Sequence, residues 1–510
     1  MADGRRRLHR VGTDGRPGAA WISGGHVIED LIPALAELRA ARPAYEEAEM
    51  YREGEAPEKF ASPAIQRALR GGTKDFAVNL AARPVDAVLD RLEITGVVCT
   101  PDQHTALFET AVWEANELDI EYPEVHDKTL TFGDGYLFVW PSESSRDEEA
   151  DGEQVARIDG VDIFFNSPLT CRAIYDDENP RLIRLVIKAW CRGDGKETET
   201  RVNLYYADHC EKWVTRPDSR GKDEDRLTAA DFEPYTDEHT DEQGHIDNPY
   251  GRPPFFHFRT RRPYGRPVHK GAYGSQDAIT KLITNQMAAS DFAAFPQRYG
   301  LLDPTAGSDD DIDWGDEDET EPEDRDSQLV ASPGSMWNLR HYKEVGQFAP
   351  ADPDAFLKPQ GQFMRFMAAT TTTPSRWFDP SGDVPSGESL RADDAPLSKK
   401  AKFIARTFGA TWKDAFEFAL RILGATAKVA VQWAPPQATD DLEFWQAVQA
   451  RQDAGVPVRQ TLLEAGYTDA EVTAWGYTED QPNGPDWSRP SREEPPIPVP
   501  VPPAPPGDDT

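Results

Sequence analysis

The chain has 510 residues, with 55 Lys and Arg against 90 Asp and Glu, for a formal net charge of −35. That length accommodates two or three domains, and the charge excludes a general affinity for exposed phosphates or anionic membrane surfaces. No run of 18 apolar residues predicts a membrane span, and four scattered cysteines (Cys99, Cys171, Cys191, Cys210) offer neither a disulfide framework nor a CxxC zinc site, which points to a reducing compartment or a particle assembled there.

Residues 1–25 are basic without an apolar segment and read as a flexible lead-in rather than a secretory signal. Val27–Tyr51 predicts a helix with Pro33 near its start and Pro43 as a kink, and Asp75–Arg91 predicts a second. A strand is expected in LEITGVVCT, a helix over Ala106–Asn116, and a hairpin over His126–Trp140 with Gly133-Asp134-Gly135 as its turn. That GDG is not a phosphate loop, because no helix is predicted after it. From Val155 to Trp213 β-rich segments alternate with turns such as Asn179-Pro180, which predicts an antiparallel region in a mixed α+β domain. The adjacent His209 and Cys210 point to opposite faces of a strand, so a shared metal is not expected.

Asn248–Gly274 is rich in Pro, Arg and aromatics and locally basic; it reads either as a solvated linker or as a partner contact. Ser275–Phe295 predicts a helix, with Ile279, Leu282, Ile283, Gln286 and Ser290 at helical spacing. The block Ser308–Asp326 packs Asp309, Asp310, Asp311, Asp313, Asp316, Glu317, Asp318 and Glu319 into one mutually repelling run. It lacks the glycine and terminal Glu of an EF-hand loop, so it reads as a solvated acidic loop. Ser335–Phe348 predicts strand and turn, and Asp354–Thr370 a helix with Phe356, Phe363, Phe366 and Met367 near one side.

Thr371–Pro385 contains three prolines and is predicted to be a loop, yet it carries Arg376, Trp377 and Phe378. Large side chains on a loop between helices point to contact with something else, or to Trp377 as a core anchor. The most informative pattern lies in Ser386–Leu423. Leu397, Ala401, Ile404, Phe408, Trp412, Ala415, Ala419 and Leu423 mark one face of a long helix with Ser386 as its N-cap and Pro396 as a kink. AKVAVQW follows as a strand, then a small helical unit, and a Pro-rich tail from Gln481 expected to be extended and disordered.

The order of these parts resembles the portal proteins of tailed bacteriophages, of the siphovirus family typical of actinobacterial phages. Asn79–Gly96, Tyr273–Gly300, Pro385–Phe416 and the C-terminal GVPVRQTLLEAGYTDAEV carry the resemblance, which covers roughly residues 25 to 475. It implies an α+β portal fold assembled as a homo-oligomeric ring, usually of twelve subunits, at one capsid vertex. On that resemblance residues 26–274 form a wing, 275–294 and 354–370 two stem helices, and 295–353 a clip with the acidic loop 308–326. Residues 371–385 form a tunnel loop, with Thr371, Thr372, Thr373, Arg376, Trp377, Phe378 and Asp379 at the channel; 386–439 form the long kinked helix and a wing strand, 440–480 a crown, and 481–510 the tail. The implied role is structural, without catalytic residues, metal or cofactor: a channel for double-stranded DNA during packaging and ejection. The implied partners are the terminase large subunit, a head–tail adaptor, and the major capsid and scaffolding proteins, and the place is the virion, after assembly in the host cytoplasm. A negative wall suits such a channel, because a basic one would hold the polyanion. The sequence leaves two other classes open. A scaffold or minor capsid protein would oligomerise without a channel. A two-metal nuclease would use the acidic cluster, but its carboxylates are crowded in one loop and no GxxxxGK[ST] occurs.

Overall fold

The protein is seen in a computed structural model that describes residues 29–56, 78–143, 158–237, 239–294, 298–302, 342–347, 354–379 and 386–436, with parts of 446–483. The N-terminal lead-in, the acidic block with its eight named carboxylates, and the Pro-rich tail from 484 onward lie outside the described residues. The chain divides into one unit ending at Pro436 and a second beginning at Gln437.

In the first unit, α1 (Leu31–Glu53) leads through α2 (Arg83–Leu89), β1 (Ile94–Thr100), α3 (Thr105–Phe108, continued by π-helical turns over Glu109–Glu114) and α4 (Leu118–Phe132). Strands β2 (Asp134–Glu143), β3 (Ile158–Asn166), β4 (Cys171–Tyr175), β5 (Ile183–Arg192), β6 (Glu199–Tyr205), β7 (His209–Thr215), β8 (Phe232–Pro234), β9 (His245–Asp247) and β10 (Phe255–Arg259) follow. Then come α5 (Tyr273–Ala294), β11 (Arg298–Leu302), β12 (Tyr342–Gln347), α6 (Asp354–Thr371), α7 (Gly387–Ile422) and β13 (Lys428–Trp433). Pairing is antiparallel throughout: β1 with β13, β11 with β12, a three-stranded sheet β10-β2-β3, and the meander β4-β5-β6-β7-β8 with β9 also on β7. The fold is α+β, as the sequence predicts. In the second unit, α8 (Val458–Glu464) packs Val458 and Leu462 with Val472.

The main core forms along α7. Ser386 Oγ accepts from the Ser389 amide at 3.4 Å, and the helix continues through Pro396 for 36 residues, about 54 Å at ~1.5 Å per residue. Leu397, Ala401, Ile404, Phe408, Trp412, Ala415 and Ala419 are all buried, and Leu423 is half-buried, so the predicted face is the face that packs. Against it lie Val85 and Val88 of α2, Leu137 and Val139 of β2, Phe256 and Phe258 of β10, and Val429 of β13. Trp412 Nε1 donates to His126 Nε2 of α4 at 2.9 Å, and burial pushes the His126 pKa down to about 3. A second core sets Leu31, Leu35 and Leu38 of α1 against Leu185, Ile187, Val202 and Leu204 of the meander. Further along α1, Tyr45 and Ala48 meet Phe132, and Tyr51 enters a third cluster with α5 and α6.

Three expectations need correction. The His126–Trp140 hairpin is instead the last turns of α4 followed by β2; Gly133, at φ +91°, is the left-handed cap that ends α4, and the strand starts at Asp134. The helix expected over Asp75–Arg91 covers only Arg83–Leu89. Pro84, whose missing donor suits a first turn, sits at its start, and 75–77 lie outside the described residues. The Pro- and Arg-rich connector is no solvated linker: it contains β10, which pairs with β2 and has Phe255, Phe256, His257 and Phe258 buried.

Candidate functional site

Helices α5 and α6 pack side by side, and Gln360 Nε2 of α6 donates to Gln286 Oε1 of α5 at 2.9 Å. The end of the pair where α5 begins and α6 finishes is held by polar contacts. Gln276 Oε1 accepts from the Leu80 and Ala81 amides at 2.9 and 3.1 Å, and its Nε2 donates to Val78 O at 2.8 Å. Tyr51 of α1 stacks on Tyr273 with ring centroids 3.8 Å apart and donates to Asp277 Oδ1 at 2.7 Å. Thr370 Oγ1 is within donating distance of Phe366 O (2.8 Å) and Gly271 O (3.0 Å), and Gly271 lies against the Thr370 backbone, which sets the last turn of α6 against the approach of α5.

The chain leaves α6 through Thr372, whose φ of +58° is a left-handed conformation that a β-branched residue rarely adopts. The turn around it is fixed on every side. The Thr373 amide donates to Ala368 O at 3.1 Å, and Thr371 Oγ1 donates to Met367 O at 2.7 Å. Lys400 Nζ of α7 reaches across to donate to Thr371 O at 2.8 Å. Burial lowers the Lys400 pKa to about 8, so near neutrality its ammonium still faces the carbonyl end of α6, where a cation is favoured. Ser375–Trp377 then forms a 3-10 turn. Arg376 pairs with Asp394 and lies 3.6 Å from Asp393, both on α7, and Asp394 also takes Arg91 at 3.4 Å. The Arg91 guanidinium in turn lies 5.9 Å from the Trp377 ring centroid.

Of the seven residues predicted at the tunnel loop, Thr372 and Asp379 are exposed. Thr371, Thr373 and Phe378 are buried, Phe378 at 4% exposure in the cluster of Tyr51, Ile279, Met367 and Ala368. Trp377 is half-buried and packs against two of the hydrophobic clusters. The bulky side chains therefore anchor the loop inward, because an irregular segment between two helices needs its own apolar residues to fix it. On α6, Met367 is fully buried while Phe366 is 49% exposed, so the two do not share a side as expected. Lys400, Arg91, Asp394 and Gln276 were not anticipated. Lys400 had a visible signal, since three residues after Leu397 it falls at the edge of the buried stripe of α7.

A second polar centre lies between α1, β2, β4 and β10. Asp134 takes His257 Nε2 at 2.8 Å, Tyr45 Oη at 2.8 Å and the Gly265 amide at 2.6 Å. The Asp134 carboxylate accepts from Nε2, so in the neutral imidazole Nδ1 accepts from the Tyr175 hydroxyl at 2.6 Å, and Arg259 donates to Tyr175 Oη, also at 2.6 Å. Burial lowers the His257 pKa, and although burial raises that of Asp134, its donors more than reverse the effect. Asp134 and His257 are buried, and the bonds they make join elements distant in sequence. Among the described residues no group of three His, Cys, Asp or Glu side chains is arranged to hold a metal, and no helix is long and apolar enough to cross a membrane.

Residues 79–295 match the model of the family described as phage portal protein, SPP1 Gp6-like. No curated protein sequence matches the chain. Among solved structures, a chain from the neck of a native gene transfer agent particle computed with C12 symmetry is 12% identical, covering 81% of this chain and 96% of that one at a TM-score of 0.42. A chain from the virion of a native gene transfer agent particle is 14% identical over 85% and 98%, at 0.37. One from the neck of an empty particle computed with C6 symmetry is 12% identical over 80% and 93%, at 0.40.

Proposed function

Taking as premise that this chain is a phage portal protein, matched to that family over residues 79–295, we propose that copies of it close into a ring around an axial channel for double-stranded DNA at one vertex of a capsid. The role is structural rather than catalytic. In this reading residues 26–274 are the wing, α5 and α6 the stem, 295–353 the clip with its acidic loop, and 440–480 the crown. The loop from Thr371 to Pro385 borders the channel through exposed positions such as Thr372 and Asp379, with Arg376, Trp377 and Phe378 holding it in place. The terminase large subunit and a head–tail adaptor dock at its ends, the capsid and scaffolding proteins around it, and the site of action is the virion after assembly in the host cytoplasm.

The observation that carries this reading, beside the family match, is the unfinished packing of the helix pair. Met287, Leu357 and Phe366 are 38%, 50% and 49% exposed on α5 and α6. Apolar side chains on paired helices call for neighbours, and in a closed ring each copy covers the next through unlike surfaces. Negative-stain microscopy of the purified full chain tests it: axial views should show rings with a central hole. A monodisperse monomer at micromolar concentration would overturn it.

A further inference from the structure

Between Asp247 and Asp277 the chain carries Arg252, Arg259, Arg261, Arg262, Arg266 and Lys270 and no carboxylate, in a protein whose net charge is −35. Part of this stretch is β10; the rest forms a turn over 260–266 whose backbone is fixed from several directions. Thr260 Oγ1 donates to Arg266 O at 2.8 Å and accepts from the Arg266 amide at 2.9 Å. The Thr260 amide donates to Gly133 O at 2.9 Å, and Arg259 donates to Pro263 O at 2.8 Å. Tyr264 turns inward, donating to Ala173 O at 2.9 Å under the Arg172 guanidinium, which lies 3.9 Å from its ring centroid. The Gly265 amide is bound to Asp134, and a Cβ on Gly265 would lie 1.8 Å from Gly133 O, so the two backbones cross in contact.

This rigid turn leaves three guanidiniums outside. Arg261, Arg262 and Arg266 are exposed, and none forms an ion pair among the described residues. The turn leads within a few residues into α5, whose approach lies against the last turn of α6, so it stands at the end of the helix pair from which the loop at Thr371 departs. We propose that Arg261, Arg262 and Arg266 form a phosphate-contacting knuckle for the backbone of double-stranded DNA. The proposal rests on the channel reading above and assigns to it a contact surface.

Phosphate fits this surface better than protein does. Arginine forks match phosphate oxygens in pairs and need no apolar surroundings. A protein partner would want an aromatic or aliphatic anchor at the contact, and the one aromatic of the turn, Tyr264, is used internally. Three arginines per copy leave the wall around them acidic, so the contact guides by charge without the grip of a wholly basic wall, and salt releases it.

The test is fluorescence anisotropy of a labelled 30-base-pair duplex with the purified full chain across a salt series. Wild type should bind at low salt, and Arg261→Gln/Arg262→Gln/Arg266→Gln should flatten the slope of log K against log salt by roughly 2–3, the release expected for three phosphates. The triple Lys variant keeps the charges and should keep the slope. No salt-dependent binding by wild type, or equal slopes for wild type and the Gln variant, would overturn the proposal. So would a Gln variant with unchanged DNA binding and an altered oligomer, since the turn would then be a contact between copies. The three side chains make no bond inside the fold, so melting should not change; if it does, Arg262→Gln alone is judged on the slope by the same criteria. Rings are scored separately by microscopy, so loss of the knuckle and loss of the channel reading are told apart.

Discussion

Helices α6 and α7 solve the same problem in opposite ways. Both are amphipathic and both adjoin the loop at Thr371–Asp379. Helix α7 buries its apolar face within its own chain, on sheets contributed by β2, β10 and β13. Helix α6 buries Met367 and Ala368 at its end but leaves Leu357 and Phe366 half in solvent. The first holds the protomer together; in the ring proposed above, a neighbouring copy would complete the second. Burial on a chain's own residues stabilises folding, and burial left for a neighbour stabilises assembly, so the two helices should fail in different assays.

The largest effect is expected at Trp412, where truncation to Ala removes a fully buried indole and leaves His126 Nε2 without its donor. A loss of about 4–5 kcal/mol in denaturant unfolding should follow. Phe378→Ala comes next, at about 3 kcal/mol, because the loop residue is buried in the cluster under α6. A loss below about 0.5 kcal/mol would mean that the loop is not anchored as described and would restore it to the solvent-facing role.

Lys400→Met addresses the contact between the two helices. The folded pKa of Lys400, about 8, lies below its ordinary 10.5, so between these values the unfolded chain holds more protons and stability rises with pH. Wild type should therefore gain on the Met variant by up to about 3 kcal/mol between pH 8 and 10.5 and show a constant difference below pH 7. A pH-independent difference would place the amine in solvent. Phe366→Ala should change unfolding of the unassembled protomer least, within about 0.5 kcal/mol, while weakening assembly measured by sedimentation. If it instead cost the protomer as much as Trp412→Ala, the contrast between the helices would be gone.

The same contrast governs how much was legible in the sequence. The stripe from Leu397 to Ala419 was readable residue by residue because a face buried along a whole helix must repeat at the helical period. The meander was readable for the analogous reason at period two. Helix α4 was not, since it buries His126, Thr129 and Thr131, polar or β-branched residues that propensity assigns elsewhere and that tertiary packing overrides. Strand β10 was hidden by flanking Pro and Arg, although FFHF between them was signal enough for a buried strand. Phe378 could not be placed because a loop has no period. The contacts of Arg376 and Lys400 join residues far apart in sequence or across a turn, which no local pattern encodes.

Arg376 holds the loop to Asp394 on one side of Pro396, and Lys400 holds Thr371 on the other, so the two ties are about 9 Å apart along the axis of α7. Pro396 withdraws a backbone hydrogen bond between them, the point at which a helix is weakest to bending. The arrangement is a rod notched at one place with a cord fastened above and below the notch. Flexing the rod toward the cord would slacken it and flexing away would draw it taut, so a change in the curvature of α7 is expected to be passed to residues 371–376.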